Sequence, residues 1–496
     1  MQLRRTDDAN AKDGEWGEEV AAGEEEEEED YEGDVDFGAR EGVMRPATGD
    51  TALEFDWKSA LHKAGVSGVG FLSDAYDLYA CGWISSAVLV GALFGQIGFG
   101  FIADKIGRKK GFVATLSLVI LGTLASALAF PVGPISIAAV LAVLRFVLGI
   151  GIGGEYPLSA TITAESAETS SRGRLTAAVF SMQGVGALTA AVVSWAALQL
   201  LSDLDLAWRV CIAFGAVPGL LTFYFRLTMH ETQRFEIAAA QGGGAPAASR
   251  WALLRRYWRR LVGTAGTWFL LDITFYANGL FSAQVLEMSG IGGSGSKSGQ
   301  PPTLDELITI SRFNIILALA AVPGYWTAVY LIETRLGRKS LQVLGFLLMA
   351  ILYCVMAVAF EGIKSMYGVF VTLYALSFFF TNAGPNTTTY VLAAESFPTE
   401  VRATLHGISA AAGKLGAALG AVVMANVLEA WGLRVVFLVC GVVASLGAVV
   451  TIACIDETVG KSLEQINAPP VEIELQQFSS VPTHIIGSDD DDDDQL

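Results

Sequence analysis

The 496-residue chain is 52% hydrophobic and only 17% charged, and its mean hydropathy of +0.48 is too high for a soluble protein of this length. Its net charge of −18 comes from its ends: residues 1–56 carry 20 acidic and 5 basic side chains (−15), residues 456–496 carry 11 and 1 (−10), and the body between them is at +7. Composition therefore excludes a soluble protein and predicts a polytopic membrane protein in a lipid bilayer, with no nucleic-acid partner.

The chain begins with an acidic stretch of low complexity. Glu24–Glu29 runs directly into Asp30, and a second acidic segment near the other end includes Asp489–Asp494. Blocks of like charge repel one another and bury little apolar surface, so we expect residues 1–56 and 456–496 to be disordered tails whose partners the sequence does not identify. No apolar stretch precedes the first tail, so we expect no cleavable signal peptide.

Twelve apolar stretches follow, each long enough as a helix of ~20 residues to cross ~30 Å of hydrocarbon. We expect an all-α fold of two six-helix bundles, at 57–228 and 261–455, joined by a polar linker at 229–260. The stretches lie near 64–83, 84–103, 111–130, 136–158, 175–200, 208–227, 262–288, 311–332, 341–360, 366–392, 404–428 and 434–455.

Basic residues cluster in the short loops after every second stretch. They follow the second, fourth, eighth and tenth stretches, and a further group that includes Arg255 and Arg256 lies in the linker. The intervening loops at 131–135 and 201–207 carry no basic residue. Since short cytoplasmic loops are enriched in Lys and Arg, both termini and the linker are predicted to be cytoplasmic.

The two halves of the chain repeat each other. Gly107-Arg108-Lys109 recurs as Gly337-Arg338-Lys339, and the segment from Glu165 to Arg172 recurs as Glu395 to Arg402, both at an offset of 230. Two six-helix halves in the same order are typical of secondary transporters, whose substrate site lies near the membrane midplane between the halves.

Polar residues inside the apolar stretches mark a candidate site, because each carboxylate there costs about 2.5–3.5 kcal/mol on insertion scales. The first stretch holds Asp74 and Asp77, and the fourth holds Glu155. The seventh holds Trp268, Asp272 and Tyr276, which share one helical face at spacing i, i+4, i+8. The tenth is interrupted at Asn382-Ala-Gly384-Pro385-Asn386.

This set suits a tetrahedral oxyanion. Lys414 in the eleventh stretch supplies positive charge, and the alternative for it is a structural pair with one of the carboxylates. Carboxylates repel an anion when ionised and admit it when protonated, and burial favours the protonated form, so anion and proton binding would support each other. The candidate hydrogen-bond donors are Tyr156, Gln183, Trp268, Tyr276 and Asn386.

Other chemistry is not indicated. Gly149, Gly151 and Gly154 match a dinucleotide fingerprint in spacing but lie inside a membrane stretch with no preceding strand, so we interpret them as packing glycines. The five cysteines have neither disulfide nor zinc spacing. No nucleophile–base pair, metal cluster or soluble catalytic domain is evident, so we expect no enzymatic activity and no cofactor.

The motifs resemble known families. Gly100–Lys109, with Asp104 and Arg108, resembles the loop signature of the major facilitator superfamily. Gly153–Thr161, Trp268–Tyr276, Gly384–Thr388 and His406–Lys414 resemble the signatures of the plant and fungal phosphate:proton symporters, over about residues 65–460. The resemblance implies a major facilitator fold, inorganic phosphate and protons as substrates, and alternating access at the plasma membrane.

The resemblance also implies roles for individual residues. Those expected to contact phosphate are Tyr156, Gln183, Trp268, Asp272, Tyr276, Asn386 and Lys414. Those expected in proton coupling are Asp74, Asp77, Arg145, Glu155 and Asp272. Those expected to hold one conformation closed are Asp104, Arg108, Glu165, Arg172, Glu395 and Arg402.

The chain departs from that family at three places. Glu155 stands where the family usually has Asp, and the linker and acidic ends differ from the usual pattern. The third departure is a short segment after the first stretch: Asp77 to Gly107 is 30 residues, whereas Asp272 to Gly337 in the second half is 65. We hypothesise a lost segment of roughly 30 residues, with a tight turn at Cys81-Gly82 or a shortened first helix as alternatives.

Two other functions stay open. His230–Phe235 and Asp456–Lys461 resemble sugar-porter signatures, so a porter of a sugar or an organic anion is one alternative. A phosphate sensor that does not transport, and that signals through its acidic tails, is the other.

Overall fold

The computed structural model describes residues 57–79, 85–240, 247–280, 282 and 303–467, which form helices and, apart from an isolated bridge between Val132 and Ile135, no β-structure. The first part contains α1 (Trp57–Tyr79), α2 (Ser85–Ile106), α3 (Arg108–Ala127), α4 (Ile137–Ser166), α5 (Arg172–Leu200), α6 (Leu204–Phe214), α7 (Ala216–Thr228) and α8 (Gln233–Ala240). The second contains α9 (Ala247–Leu280), α10 (Leu304–Leu331), α11 (Gly337–Val358), α12 (Phe360–Ile363), α13 (Tyr367–Thr381), a π-helical turn (Asn382–Asn386), α14 (Thr387–Glu395), α15 (Arg402–Trp431), α16 (Leu433–Cys454) and α17 (Leu463–Asn467).

Each predicted apolar stretch overlaps a long helix or a pair of helices, which confirms the all-α membrane fold. Among the described residues, 10 helical stretches are long and apolar enough to cross a membrane. The pair α6–α7 forms one of them, and α13, the π-helical turn and α14 form another. The other two long helices, α1 and α9, carry the predicted site carboxylates Asp74, Asp77 and Asp272.

Helix α9 begins at Ala247, well before the stretch predicted to start near residue 262. Its first turns are rich in Ala, Leu and Arg, which are good helix formers, so the helix continues beyond the apolar segment. Tyr257 in these turns is buried against Phe397, Val401 and Leu405. A helix of 34 residues is about 51 Å long, so part of α9 extends beyond the ~30 Å hydrocarbon layer.

The predicted interruption of the tenth stretch is present. Gly384 has φ −121° and ψ −110°, and Pro385 follows it, so the α-helix gives way to one π-helical turn. The turn is buried, and Thr388 in α14 donates to the carbonyl oxygen of Gly384 at 3.0 Å. Such breaks at membrane depth are tolerated where protein or a substrate cavity surrounds the exposed backbone.

The two halves of the chain pack through α2 against α15 and α5 against α10. The first contact is nearly backbone to backbone, because a Cβ on Gly407 of α15 would overlap the carbonyl oxygen of Gln96 in α2. Small residues at membrane helix crossings allow this close approach. The closed contact between the halves therefore depends on glycine.

Replacing Gly407 by alanine should lower the melting temperature of the purified protein, although alanine is the better helix former by ~1 kcal/mol. The added methyl would force apart two backbones, at a cost of about 1–3 kcal/mol. Gly98 in α2 is a matched control, because a Cβ there meets nothing within 4 Å. A Gly407→Ala protein as stable as Gly98→Ala would contradict this packing.

Candidate substrate-binding site

The seven residues predicted to contact phosphate line one small cavity between the two halves. They come from α4, α5, α9, the π-helical turn and α15, and two further side chains, Phe180 and Phe275, complete the wall. The side chains leave no space for a free water molecule between them. The side chains therefore fill the cavity, and a substrate must separate some of these side chains from one another to bind there. The residues brought together are Tyr156, Gln183, Trp268, Asp272, Tyr276, Asn386 and Lys414.

Lys414 is the centre of this cavity and the only cation among the described residues that line it. Its Nζ donates to Asp272 Oδ2 at 3.3 Å and to the Tyr276 hydroxyl at 3.1 Å. The ammonium also lies over the rings of Tyr156 and Tyr276, 5.1 and 5.0 Å from their centroids. Lys414 is 4% exposed and Asp272 is 2% exposed, so the two form a buried, formally neutral pair.

Glycines on α15 make the Lys414–Asp272 contact possible. A Cβ on Gly416 would overlap the carbonyl oxygen of Phe269, and one on Gly420 would lie 2.7 Å from that of Ile273. Because α15 lies so close to α9 along this face, the side chain of Lys414 reaches the face that carries Trp268, Asp272 and Tyr276. The glycines of α15 therefore bring Lys414 close to α9, and the i, i+4, i+8 spacing on α9 places Trp268, Asp272 and Tyr276 on the face that Lys414 reaches.

Amide groups occupy the other side of the cavity. Asn386 Nδ2 donates to Asn382 Oδ1 at 2.7 Å and to the Tyr325 hydroxyl at 3.0 Å. Gln183 is 3% exposed, and its Oε1 has no hydrogen-bond partner among the described residues. A buried amide normally has its hydrogen bonds satisfied, so this oxygen is available to accept a hydrogen bond from a donor group of an added ligand.

An aromatic layer lies directly against the site. Tyr390 stacks on Phe180 with centroids 4.6 Å apart, and His406 meets the rings of Trp268 and Tyr390 edge to face at 5.6 and 5.3 Å. The Tyr390 hydroxyl lies 2.8 Å from Ser159 Oγ. Sequence analysis did not single out Tyr390 or Phe180, because nothing in their local sequence separates them from ordinary core aromatics.

A second cavity of about 410 Å³ adjoins the site and shares Phe275 and Tyr276 with it. Its lining includes polar but uncharged groups, among them Ser194, Asn314 and Asn382. Asn382 also holds Asn386, so this cavity and the substrate site are connected through one hydrogen bond. We call it the vestibule.

The predicted gating residues lie at the end of the helices that is away from the vestibule. We call this end the basic face after Arg108, Arg172, Arg338 and Arg402. In the first cluster, Glu165 accepts from Arg108 at 3.0 Å and from Arg402 at 2.8 Å, and Asp104 lies 3.2 Å from Arg108. The pair between Glu165 and Arg402 joins the first half of the chain to the second.

The second cluster repeats the first. Arg172 of α5 donates to Glu395 at 2.9 Å, again across the two halves, and Arg338 lies 3.3 Å from the same carboxylate. All of these side chains are buried. The structure therefore has a closed basic face and a vestibule on the other side of the site.

Two glutamates that sequence analysis quoted without a role complete these clusters. Glu231 accepts from the backbone N–H of Lys109 at 3.1 Å and Glu457 from that of Lys339 at 2.9 Å, so each caps the start of a helix. The neighbouring Thr232 donates to Glu165 at 2.6 Å, and Thr458 donates to Glu395. The dipeptide Glu-Thr occurs in both halves, as Glu231-Thr232 and Glu457-Thr458, and this recurrence was the sequence signal that could have identified them.

Of the other predicted proton-coupling residues, Glu155 and Arg145 do not line this cavity. Glu155 does not line the cavity and is instead paired with Arg226 of α7, at 2.6 and 2.7 Å between their oxygens and nitrogens. Arg145 is buried ten residues earlier on α4, about 15 Å along the helix. Asp74 and Asp77 belong to α1, but their side chains lie outside the described residues, as do residues 80–84 with the proposed Cys81-Gly82 turn.

Arg226 was missed by sequence analysis. The signal was a basic residue inside the sixth apolar stretch, near its end, where it was open to interpretation as a loop charge. Within the described part of the chain, no group of three or more His, Cys, Asp or Glu side chains could hold a metal ion.

Comparisons with known proteins agree on one family. The profile of the "Sugar (and other) transporter" family matches residues 51–252 and 303–469. The chain is 35% identical over 483 residues to the "Low affinity inorganic phosphate transporter 4" of Petunia hybrida, an alignment that covers 81% of this chain and 90% of that protein. It is likewise 35% identical to the "Inorganic phosphate transporter 1-11" of Oryza sativa subsp. japonica, over 81% of this chain and 86% of the relative.

Solved structures show the same fold. The major facilitator superfamily proton:xylose symporter bound to 6-bromo-6-deoxy-D-glucose superposes with a TM-score of 0.67 at 19% identity, over 82% of this chain and 98% of that one. The inward open conformation of the xylose transporter from E. coli superposes with a TM-score of 0.54, also at 19% identity, over 82% and 99%.

Proposed function

Because the chain belongs to the sugar (and other) transporter family, within the major facilitator fold, we propose that it carries inorganic phosphate together with protons by alternating access. The relatives named as inorganic phosphate transporters support the substrate. The observation that carries the proposal is the buried ammonium of Lys414 among hydrogen-bond donors, in a cavity between the two halves.

Phosphate recognition follows from the chemistry of this cavity. A tetrahedral oxyanion accepts hydrogen bonds in several directions, and the cavity offers the Lys414 ammonium, the hydroxyls of Tyr156 and Tyr276, and the side-chain amides of Gln183 and Asn386. Hydrogen bonds from a charged donor are worth about 1.5–3 kcal/mol, more than those from neutral groups. The combination favours a small anion over a neutral sugar.

Proton coupling follows from the charge balance of the site. Lys414 and Asp272 are buried as a neutral pair, so a bound monovalent anion leaves the cavity with a net charge of −1. An uncompensated charge is costly at membrane depth. A proton on Asp272 restores neutrality and releases Lys414 to bind the anion. Anion and proton therefore bind favourably together, which is the thermodynamic requirement for symport.

Access alternates between the two ends of the site. In this structure the basic face is closed by ion pairs between the halves, and the vestibule adjoins the site from the other side. We assign the basic face to the cytoplasm, since short cytoplasmic loops are rich in Lys and Arg, and the protein to the plasma membrane. On this assignment the substrate enters from outside through the vestibule.

One structural feature and one measurement separate this function from its alternatives. The motifs that resemble sugar-porter signatures, around Glu231 and Glu457, lie in the clusters of the basic face and not in the substrate cavity, so they carry no information on substrate. A sensor that does not transport would reach the cell surface and show no phosphate uptake at all.

Replacing Asp272 by asparagine should remove proton coupling while keeping phosphate binding. The neutral amide mimics the protonated acid, so Lys414 and the anion still balance each other, but no proton is taken up or released with them. Radiolabelled phosphate uptake would be measured at acidic and at neutral external pH, with and without a protonophore, in cells that lack their own carriers. We expect acid-stimulated, protonophore-sensitive uptake in the wild type and neither property in the variant.

Asp456→Asn is the matched control, since Asp456 lies at the basic face with its side chain 48% exposed and pairs with Arg260 there. It should behave as the wild type. An Asp272→Asn protein whose uptake still rises with acid and collapses with the protonophore would refute the coupling role. Absence of uptake by the surface-located wild type would refute the proposed function itself.

A further inference from the structure

Glu155 and Tyr156 are consecutive residues of α4 whose side chains point in different directions and contact different helices. Tyr156 faces the substrate cavity, where its ring lies 5.1 Å from Lys414 Nζ and 6.3 Å from the ring of Trp268. Glu155 points away from the cavity toward α3 and α7, and it is fully buried. The two faces of one helical turn thus connect the substrate site to the interior of the first half.

The Glu155 carboxylate is fully occupied by donors. Arg226 binds it with two parallel hydrogen bonds, at 2.6 Å to Oε1 and 2.7 Å to Oε2, and Thr115 of α3 donates to Oε1 as well. Arg226 in turn donates to the carbonyl oxygen of Phe112 at 2.9 Å, and its guanidinium lies 3.6 Å from the centroid of that residue's ring. Planar, bidentate pairs of this kind combine strength with fixed geometry.

The surrounding segment of α4 needs such an anchor. Gly153 and Gly154 precede Glu155, and both are poor helix formers. Pro157 follows Tyr156 and has no backbone N–H, so the carbonyl oxygen of Gly153 loses its intrahelical hydrogen bond. The backbone that carries Tyr156 is therefore weakly determined by the helix itself. The bonds from Glu155 to α3 and α7 hold that turn from the side.

The hydrogen bonds between Glu155 and Arg226 make Glu155 an unfavourable carrier of the transported proton. A proton on Glu155 would remove the negative charge from a bidentate pair and leave the buried guanidinium of Arg226 uncompensated. Asp272 differs, since its partner Lys414 faces the cavity and gains an anionic partner when the substrate arrives. The geometry thus assigns the exchange of protons to Asp272 and a structural ion pair with Arg226 to Glu155.

We propose that Glu155 is a positioning residue, which with Arg226 clamps the Gly153–Pro157 turn so that Tyr156 stays beside Lys414, and that it does not carry the transported proton. This inference rests on the proposed phosphate:proton symport. It predicts that the clamp affects phosphate affinity through Tyr156 and leaves the coupling to protons unchanged.

The test compares Glu155→Gln, Arg226→Gln and the double variant Glu155→Gln/Arg226→Gln in the full-length protein. Each single change leaves one buried charge without its partner, so both should lower the melting temperature of the purified protein, whereas the double change should recover much of the loss. Glu168→Gln, at an exposed position of the loop that follows α4, is the control and should not alter it. This comparison of melting temperatures does not depend on transport, so it tests the pairing of Glu155 with Arg226 even if the protein does not carry phosphate.

Uptake kinetics then separate positioning from proton carriage. For the double variant we expect KM for phosphate to rise roughly tenfold, with an unchanged pH profile and unchanged protonophore sensitivity. In a Tyr156→Ala background the double change should add little to KM, since the clamp acts through Tyr156. Should the charge-neutral variant fold poorly, Glu155→Asp offers the same readout, because it shortens the reach to Arg226 and keeps the charge.

Three outcomes would overturn the proposal. One is a double variant that transports phosphate with wild-type KM but no longer responds to protons, which would make Glu155 the proton carrier. Another is equal loss of stability in the single and double variants. The third is an effect on KM that is fully additive with that of Tyr156→Ala.

Discussion

Replacing Lys414 by methionine should lower kcat/KM for phosphate uptake by at least about a hundredfold. The variant removes the only cation among the described residues that line the substrate cavity, and with it charged hydrogen bonds worth about 1.5–3 kcal/mol each. It also leaves Asp272 buried without its partner, so the remaining charge of the site repels the anion. Uptake of radiolabelled phosphate and equilibrium binding to the purified protein would both report the loss.

Two companion variants separate binding from folding. Lys414→Met/Asp272→Asn restores neutrality and should fold better than the single variant, yet it should bind no phosphate because the cation is still absent. Lys364→Met, at an exposed position beside Glu361, should be unaffected. Phosphate affinity within twofold of wild type in the double variant would show that Lys414 is not the anion-binding group.

Replacing Glu395 by glutamine should open the basic face. Glu395 is fully buried and holds Arg172 of the other half at 2.9 Å as well as Arg338, so the neutral amide removes the carboxylate from Arg172, whereas Arg338 keeps its pair with Glu333. Removing one partner of a buried ionic cluster costs about 3–5 kcal/mol. This cost falls on the closed arrangement, in which the contact between halves exists. The population should therefore shift toward the arrangement open at the basic face.

The shift can be measured by alkylation of a cysteine at Ser396, which is 5% exposed in this structure, in a background without other cysteines. With Glu395→Gln the alkylation rate should rise at least about tenfold, the equivalent of 1.4 kcal/mol in the equilibrium. Glu400→Gln, at an exposed position of the same loop, should leave the rate unchanged. An unchanged rate with Glu395→Gln would mean that other contacts keep this face closed.

Much of the fold was predictable because a lipid bilayer restricts what a chain can do. Every helix that crosses it must be long and apolar, so the stretches are visible in the sequence, and the interruption at Gly384 stands out for the same reason. Polar residues such as Asp272 and Lys414 are conspicuous in such stretches. The i, i+4, i+8 spacing of Trp268, Asp272 and Tyr276 and the motif resemblance placed these residues in one set with Lys414, and the structure brings that set into one cavity.

The partners of buried charges were less predictable. Glu155 was predicted to take part in proton coupling, and its pairing with Arg226, 71 residues away, was not predicted. Glu231 and Glu457 were visible only as motifs, although they cap helices and join the ionic clusters of the basic face. In each case the pairing depends on the rotation of one helix relative to another, which local sequence does not specify.

By itself, then, the sequence determined that this is an all-α membrane protein, and it predicted two repeated six-helix halves with a cationic site for an oxyanion between them. It could do so because apolar length, loop charge and intramembrane polarity are local properties. Only the tertiary structure decided that Lys414 meets Asp272 and Tyr276, that Glu155 is paired with Arg226, and that the basic face is closed. These are contacts between segments far apart in the chain, and helix packing selects them, since glycine contacts such as that of Gly407 set which backbones come close enough.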